Sequence, residues 1–148
     1  MDEMKYNSEG YYDPTTYEAL MKIEQEERAA RKAANYRPLV YICSPYAGDV
    51  EKNTCRARNY SRFAVVKRAI PIAPHLLFPQ FMSEDTERSL ALFMGGVLLG
   101  KCDEVWVFGN RITAGMREEI DKAERMKKKI RRFSEELEEE EVNVNYAG

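Results

Sequence analysis

The fold is decided by one stretch in which a buried strand leads through a turn into a helix: Asp103-Glu104-Val105-Trp106-Val107-Phe108, then Gly109-Asn110, then a helix from about Ala114 to Lys129. The apolar run is continuous rather than alternating, which predicts a strand buried on both faces of a sheet. The turn residues end the strand, and Thr113 is suited to cap the helix. Strand–turn–helix units of this kind build parallel sheets.

The same pattern recurs towards the N-terminus. Leu39-Val40-Tyr41-Ile42-Cys43 predicts a first buried strand, and a loop over Ser44–Gly48 separates it from a second helix. That helix is capped by Asp49 and runs to about Arg68, and a second strand over Ala69–Pro74 follows it and ends at His75. A further helix is predicted from Ser83 to Leu99, with Glu84 to Glu87 in its first turn. A short last strand covers Ile130–Phe133. This alternation predicts an α/β domain with a doubly wound parallel sheet of four to five strands between two layers of helices.

Two segments lie outside this domain. A helix from about Tyr17 to Ala34 is dense in charged residues and Ala, and its apolar residues lie only in its first half. The tail from Glu135 to Glu141 is almost wholly acidic and is expected to be solvated or frayed. We therefore divide the chain into an N-terminal helical extension (1–36), the α/β domain (37–134) and an acidic C-terminal tail (135–148).

Composition excludes several classes of function. The 148 residues include 23 basic and 25 acidic ones, so net charge favours neither a nucleic acid polymer nor a membrane surface as partner. Three cysteines without CxxC spacing indicate neither a disulfide framework nor a zinc site. No signal peptide and no apolar run of membrane-spanning length is found, so we expect a cytoplasmic protein.

Glu119 is the strongest candidate for a functional residue. At 100° per residue it falls on the apolar side of its helix, between Met116 and Met126, whereas its neighbour Glu118 lies elsewhere. An unpaired buried carboxylate is costly. The alternative is a first-turn glutamate that the helix dipole favours, and Glu118 fits that alternative better. The preceding turn offers a hydroxyl and free N–H groups that suit an anionic group, or forms an ordinary helix cap.

His75, the only histidine, follows a strand end and is suited either to ligand contact or proton transfer or to a structural role. No second histidine or carboxylate has metal-ligand spacing with it, so we expect no bound metal and no cofactor. Ser44 lacks the surroundings of a catalytic nucleophile, and Cys43 lies within a predicted buried strand.

Three motifs together resemble the nucleoside 2-deoxyribosyltransferase superfamily, most closely its uncharacterised phage and bacterial branch. They are Tyr41-Ile42-Cys43-Ser44-Pro45-Tyr46, Asp103–Gly109 and Thr113–Ala123, within a likeness that covers about residues 38 to 133. The family pattern S/T-x-G-x-x-x-E-[IL]-x-x-A is matched by Thr113, Gly115, Glu119, Ile120 and Ala123. The resemblance implies a flavodoxin-like three-layer fold.

The resemblance also implies roles for individual residues. Glu119 would be the nucleophile on the anomeric carbon of a nucleoside or nucleoside 5′-monophosphate, in a double displacement. The acid that protonates the leaving base is not assigned by the motifs, and His75 and Asp49 are the candidates. The predicted substrate contacts are Ser44, Pro45, Tyr46, Gly48, Asn53, Gly109, Thr113, Gly115 and Met116.

The leading hypothesis is therefore an enzyme that hydrolyses or transfers N-glycosidic bonds. The alternative is a non-catalytic nucleotide-binding protein, a sensor or a sequestering protein, that uses the same pocket. A scaffold that recruits a partner through the N-terminal helix and the tail is a third possibility. Relatives of the resembled family assemble, so a homodimer or higher homo-oligomer is expected.

Overall fold

The computed structural model describes residues 14–141, which fall into two compact units divided between Tyr36 and Arg37. Residues 1–13 of the predicted extension and 142–148 of the predicted tail lie outside the described residues. The first unit contains helix α1, Pro14–Asn35, and most of its side chains are exposed. Within the described residues, no helix combines the length and the apolar character that crossing a membrane requires.

The second unit alternates strands and helices, as the sequence patterns predict. Its elements are β1 (Leu39–Cys43), α2 (Val50–Val66), β2 (Ile70–Ile72), α3 (Pro74–Leu77), a 3₁₀ turn (Phe78–Gln80), α4 (Arg88–Lys101), β3 (Glu104–Phe108), α5 (Ala114–Arg125), β4 (Lys129–Phe133) and β5 (Glu139–Glu140). Asp49 caps α2, because its Oδ1 accepts a hydrogen bond from the backbone N–H of Lys52 at 3.1 Å.

The five strands form one sheet in the order β2-β1-β3-β4-β5. The first four are parallel, and the two-residue strand β5 is antiparallel to β4. This is the strand order of flavodoxin-like sheets, so the predicted α/β fold is confirmed. From β1 the next strand, β2, is added on one side, whereas β3 and the later strands are added on the other side. Folds of this kind bind ligands in the crevice that this reversal leaves at the carboxyl ends of β1 and β3.

Successive side chains of a strand point to opposite faces of the sheet, so an unbroken apolar strand places apolar side chains on both faces. Helices cover these side chains on each face. On one face Tyr41, Cys43, Val105 and Val107 pack against α4 and α5. On the other face the packing is aromatic, and these side chains pack against α2: Val40, Ile42, Trp106, Phe108 and Phe133. The rings of Tyr60 and Phe108 stack there with centroids 4.3 Å apart. β1 and β3 are thus buried on both faces, which explains their unbroken apolar sequences.

Helix α4 begins at Arg88, so the prediction of a helix from Ser83 was wrong. Ser83 and Glu87 instead close a turn, in which the backbone N–H of Ser83 donates to Glu87 Oε1 at 2.9 Å and the N–H of Glu87 to the carbonyl of Ser83 at 3.0 Å. A side chain that hydrogen-bonds its own turn competes with helix formation. Glu84 therefore lies in a loop and does not stabilise a first helical turn.

Two further boundaries differ from the prediction. Helix α5 ends at Arg125, because Lys127 adopts a left-handed backbone conformation with φ of 57°. The tail, expected to be solvated or frayed, returns to the sheet as β5, where Arg131 and Glu139 form an ion pair. The Arg131 guanidinium also lies over the Trp106 ring, 4.8 Å from its centroid, so one cation joins the edge strand to the core.

We predict that Leu99→Ala destabilises the domain by about 2–5 kcal/mol, because Leu99 is buried between α4 and the sheet and its truncation leaves a cavity. Leu92→Ala is the matched control, since Leu92 lies on the same helix but is 58% exposed. Its expected change is within about 0.5 kcal/mol. Urea unfolding of both variants measures the difference, and equal losses would contradict the assigned packing of α4.

Candidate functional site

Glu119 lies where the helix pattern places it, on the side of α5 that faces the sheet. Thr113 caps this helix, its Oγ1 accepting from the backbone N–H of Met116 at 3.2 Å. Met116, Ile120 and Ala123 are buried against the strands. Glu119 is half-buried beside them, and its Oε2 is enclosed without a hydrogen-bond partner among residues 14–141. An enclosed, unsatisfied carboxylate oxygen is an unusual feature that a ligand would explain.

The surroundings of Glu119 favour its protonated form. Burial raises the pKa of its carboxyl group to about 7, the hydrogen-bonding interaction with Tyr41 opposes this rise, and the charge of Glu118 adds to it. A carboxyl group that titrates near neutrality at the edge of a parallel sheet is typical of a functional site. Burial raises the pKa of the neighbouring Cys43 thiol, and the Glu119 carboxylate raises it further. Cys43 is therefore an unreactive, protonated thiol.

Tyr41 is the partner of Glu119 that sequence reasoning missed, because it was assigned only to the buried strand β1. Its hydroxyl hydrogen-bonds the Glu119 carboxylate. Burial raises the pKa of the Tyr41 phenol, and the negative charge of Glu119 raises it further. A Cβ placed on Gly95 would lie 3.7 Å from the Tyr41 hydroxyl and 3.9 Å from Pro74. The hydroxyl therefore lies where α4, α3 and α5 meet. The available signal was a phenol in an apolar strand, since a buried tyrosine hydroxyl needs a partner.

The loop after β1 is held in shape by Asn53. Its amide Nδ2 donates to the carbonyls of Tyr46 at 3.0 Å and Ala47 at 3.2 Å. Gly48 has a φ of 100°, a conformation that favours glycine. Pro45 is half-buried, whereas Ser44 is buried and its Oγ has no partner among the described side chains and backbone. Asn53 thus shapes the loop, and Ser44 offers a second enclosed polar atom at the end of β1.

His75 and Tyr46 meet at the carboxyl edge of the sheet, although they come from different loops. His75 lies within α3, and its ring contacts the Tyr46 ring edge-on, with centroids 4.7 Å apart. Burial lowers the pKa of His75 to about 4, so its imidazole is neutral near pH 7. A neutral imidazole still donates one N–H hydrogen bond. Burial and the nearby Glu84 carboxylate raise the pKa of Tyr46, so Glu84, which the sequence placed in a helix, contacts this wall.

The turn between β3 and α5 is fixed by a buried arginine. Nη2 of Arg132 donates to the carbonyl of Gly109 at 3.1 Å, and Gly109 has a φ of 92°. Gly115 is open, since a Cβ placed there would meet only Thr113 Oγ1, at 4.0 Å. The side chain of Met116 belongs to the core, and its carbonyl accepts a weak bond from the Cys43 thiol. The sequence does not single out Arg132, because the pattern of β4 does not indicate which of its side chains point into the domain.

The described residues 14–141 contain no group of three or more His, Cys, Asp or Glu side chains placed to hold a metal ion. The polar groups at the carboxyl edge are instead a carboxylate, a phenol, hydroxyls and the N-terminus of α5. Such groups are able to hydrogen-bond an uncharged or anionic organic ligand.

Residues 38–133 match the family described as "Domain of unknown function (DUF7768)". The chain belongs to this family. The matched range covers β1 to β4 and so includes Tyr41, His75 and Glu119. No curated protein matches the chain.

Two solved structures are similar to the chain. One is a 2-deoxyribosyltransferase from the bacterium Bacillus psychrosaccharolyticus, with 18% identity over 72% of this chain and 78% of that one, and a TM-score of 0.49. The other is a 2-desoxiribosyltransferase from Leishmania mexicana, with 16% identity over 66% of this chain and a TM-score of 0.49. The chain spans 64% of the length of the second protein, less than two thirds.

We predict that Glu119→Gln stabilises the protein at high pH. The folded-state pKa of about 7 lies above the ordinary value of 4.5, so folding favours the protonated acid. That contribution is fully present below about pH 4.5 and is lost as the pH rises through 7. Replacement by the neutral amide is expected to add on the order of 2 kcal/mol at about pH 8 and little at about pH 4.

Urea unfolding at both pH values measures this effect. Glu118→Gln, a change of the exposed neighbouring carboxylate, is the matched control and is expected to change stability by less than about 0.5 kcal/mol at either pH. A stability gain by Glu119→Gln that is the same at both pH values would contradict the raised pKa.

Proposed function

We propose that the chain cleaves or transfers the N-glycosidic bond of a nucleoside or nucleoside 5′-monophosphate, with the Glu119 carboxylate as nucleophile. The observation that carries the proposal is the enclosed, unpaired Oε2 of Glu119 at the carboxyl edge of the sheet. In a merely structural carboxylate at that position, both oxygens would be expected to have hydrogen-bond partners. The pattern that contains Thr113, Gly115 and Glu119 supports the same assignment.

The reaction has two steps. In the first, a Glu119 oxygen attacks the anomeric carbon, the carbon–nitrogen bond breaks, and the base leaves with the bonding electrons and takes up a proton. In the second, a new base or a water molecule attacks the same carbon, loses a proton, and releases the carboxylate from its ester. The Tyr41 hydroxyl hydrogen-bonds the carboxylate and so favours the reactive anion, as its lowering effect on the Glu119 pKa indicates.

We propose roles for the remaining predicted residues on the basis of their positions. The wall of Tyr46 and His75 is proposed to receive the base, with the neutral imidazole donating a hydrogen bond to it. Thr113, Gly115 and the N-terminus of α5 are proposed to hold the 5′ end of the sugar or its phosphate. Asp49 is a weaker candidate for the acid because its carboxylate caps α2. The chain is further proposed to act in the cytoplasm and as a homo-oligomer.

A binding protein without turnover is the second candidate function. One observation favours it: His75 has a pKa of about 4 and is not an imidazolium ion near neutrality, when a leaving base needs a proton. The protein incubated with a panel of nucleosides and nucleoside monophosphates separates the two functions. Calorimetric binding with no free base on chromatography supports the binding protein, whereas release of free base supports the enzyme.

We predict that Glu119→Ala lowers kcat/KM on the order of 10³-fold or more, because the attacking group is removed. Glu118→Gln, at the exposed neighbouring position, is expected to retain activity within about threefold, since this corresponds to less than about 1 kcal/mol. The wild-type kcat/KM is expected to fall below about pH 7 as Glu119 becomes protonated. Full turnover by Glu119→Ala would refute the nucleophile assignment while leaving a binding role open.

We predict that Gly115→Ala weakens binding of a nucleoside monophosphate without destabilising the protein. The added methyl group meets no protein atom closer than 4.0 Å, and alanine favours the helix by up to about 1 kcal/mol. If the 5′ end of the ligand approaches this turn, the methyl group is expected to raise Kd about tenfold, or roughly 1.4 kcal/mol. Calorimetric titration and thermal unfolding check both parts. Unchanged affinity would place the ligand's 5′ end elsewhere.

A further inference from the structure

A cavity of about 430 Å³ lies between helix α2 and the turn that joins β4 to β5. Pockets that bind small organic molecules measure roughly 300–1,000 Å³, so the size fits a ligand of this kind. The lining combines aromatic and aliphatic side chains with charged ones, chiefly Tyr60, Phe63, Leu137, Arg56, Arg62 and Glu135. We call this space the α2 cavity.

The α2 cavity is separate from the candidate site, because the sheet lies between them. Tyr60 and Phe63 belong to the aromatic packing of α2 on one face of the sheet. Tyr41, the partner of Glu119, belongs to the packing on the other face, against α4 and α5. None of the residues that line the cavity has a role in the proposed reaction.

The wall that α2 contributes to the cavity is basic. After Glu51 the helix contains four basic residues and no acidic one. Arg56 is half-buried, and its Nη1 lies 3.7 Å from Oε1 of Glu135. Arg62 is exposed and forms no ion pair within residues 14–141. Two guanidinium groups therefore line one cavity, and guanidinium groups are well suited to bind carboxylate and phosphate oxygens.

Glu135 lies where an anionic group of a ligand would be expected. Its ion pair with Arg56 is long, and the two side chains are 42% and 37% exposed, so water weakens their attraction. Burial raises the pKa of the Tyr60 phenol, the Arg56 guanidinium lowers it, and the carboxylates of Glu135 and Glu136 raise it. The Tyr60 hydroxyl thus lies beside this ion pair and is a further hydrogen-bond donor for an anion.

We propose that the α2 cavity binds a small aromatic anion, a ring that carries a negatively charged oxygen group. The ring packs against Phe63 and Leu137, and the anionic group lies between the guanidinium groups of Arg56 and Arg62. Glu135 competes with the ligand for Arg56, so binding displaces this carboxylate of the acidic tail. An apolar ring with one anionic group matches both parts of the lining, and the proposal does not depend on turnover by Glu119.

Calorimetric titration of the full chain with 1-naphthyl phosphate tests the site. The expected Kd is below about 1 mM. The uncharged 1-naphthol lacks the anionic group, and inorganic phosphate lacks the ring. Each is therefore expected to bind at least about tenfold more weakly. A wild-type Kd above about 1 mM overturns the proposal, as does equal binding of 1-naphthol.

Two variants change the affinity in opposite directions. Arg62→Gln is expected to raise the Kd for 1-naphthyl phosphate about tenfold, because it removes a charge that binds the anion. Glu135→Gln is expected to lower the Kd about threefold, because it removes the carboxylate that competes for Arg56. A higher Kd for Glu135→Gln would show that this carboxylate does not compete and would overturn that assignment.

Arg125→Gln is the matched control. Arg125 is also exposed, but it ends α5, which packs on the other face of the sheet. Its Kd is expected to be unchanged, and circular dichroism shows whether each variant is folded. An unchanged Kd for folded Arg62→Gln overturns the proposal, as does an equal loss in Arg125→Gln. A Kd that Gly115→Ala raises and Arg62→Gln leaves unchanged places the probe at the N-terminus of α5 and overturns the proposal as well.

Discussion

The structure depends on the parallel pairing of β1 with β3, which joins Val40–Cys43 to Glu104–Val107 residue by residue. Both strands are enclosed by helices on each side, so their side chains are apolar on both faces. Because β2 and β4 lie on opposite sides of this pair, the connecting helices are placed on different faces and leave a crevice at the carboxyl ends. The candidate functional residues lie on the helices and strands that begin or end at that edge, or in the loops that join them.

The main features of this fold follow from the sequence because each depends on local patterns. Continuous apolar runs identify β1 and β3, and the Asp49 and Thr113 caps fix the starts of α2 and α5. The start of α4 does not follow, because Ser83 and Glu87 hydrogen-bond each other in a turn, and this competes with the helical conformation that their residue types also allow. The strand β5 does not follow either, because it forms by pairing with β4, where Glu139 forms an ion pair with Arg131, eight residues earlier.

The candidate site was predictable to the extent that it lies on one helix face. The 3.6-residue period places Glu119 towards the sheet, and that is where the carboxylate lies. Its partner Tyr41 comes from a strand 78 positions earlier, and the contact arises only when the sheet assembles. The same holds for Tyr46 with His75 and for Arg132 with Gly109. Contacts between distant segments are properties of the packing, and a single sequence contains no direct sign of them.

The burial of Glu119 has opposite effects on the free protein and on the proposed reaction. In the free protein it raises the pKa of the carboxyl group to about 7, so the reactive anion is only partly populated near neutrality. During glycosidic cleavage positive charge develops at the anomeric carbon. A carboxylate removed from water stabilises that charge more strongly than a solvated one, because little water screens the interaction. The developing charge itself favours the ionised form of Glu119. The desolvation that destabilises the Glu119 anion in the free protein would thus be compensated in the transition state. Catalysis requires this kind of differential stabilisation.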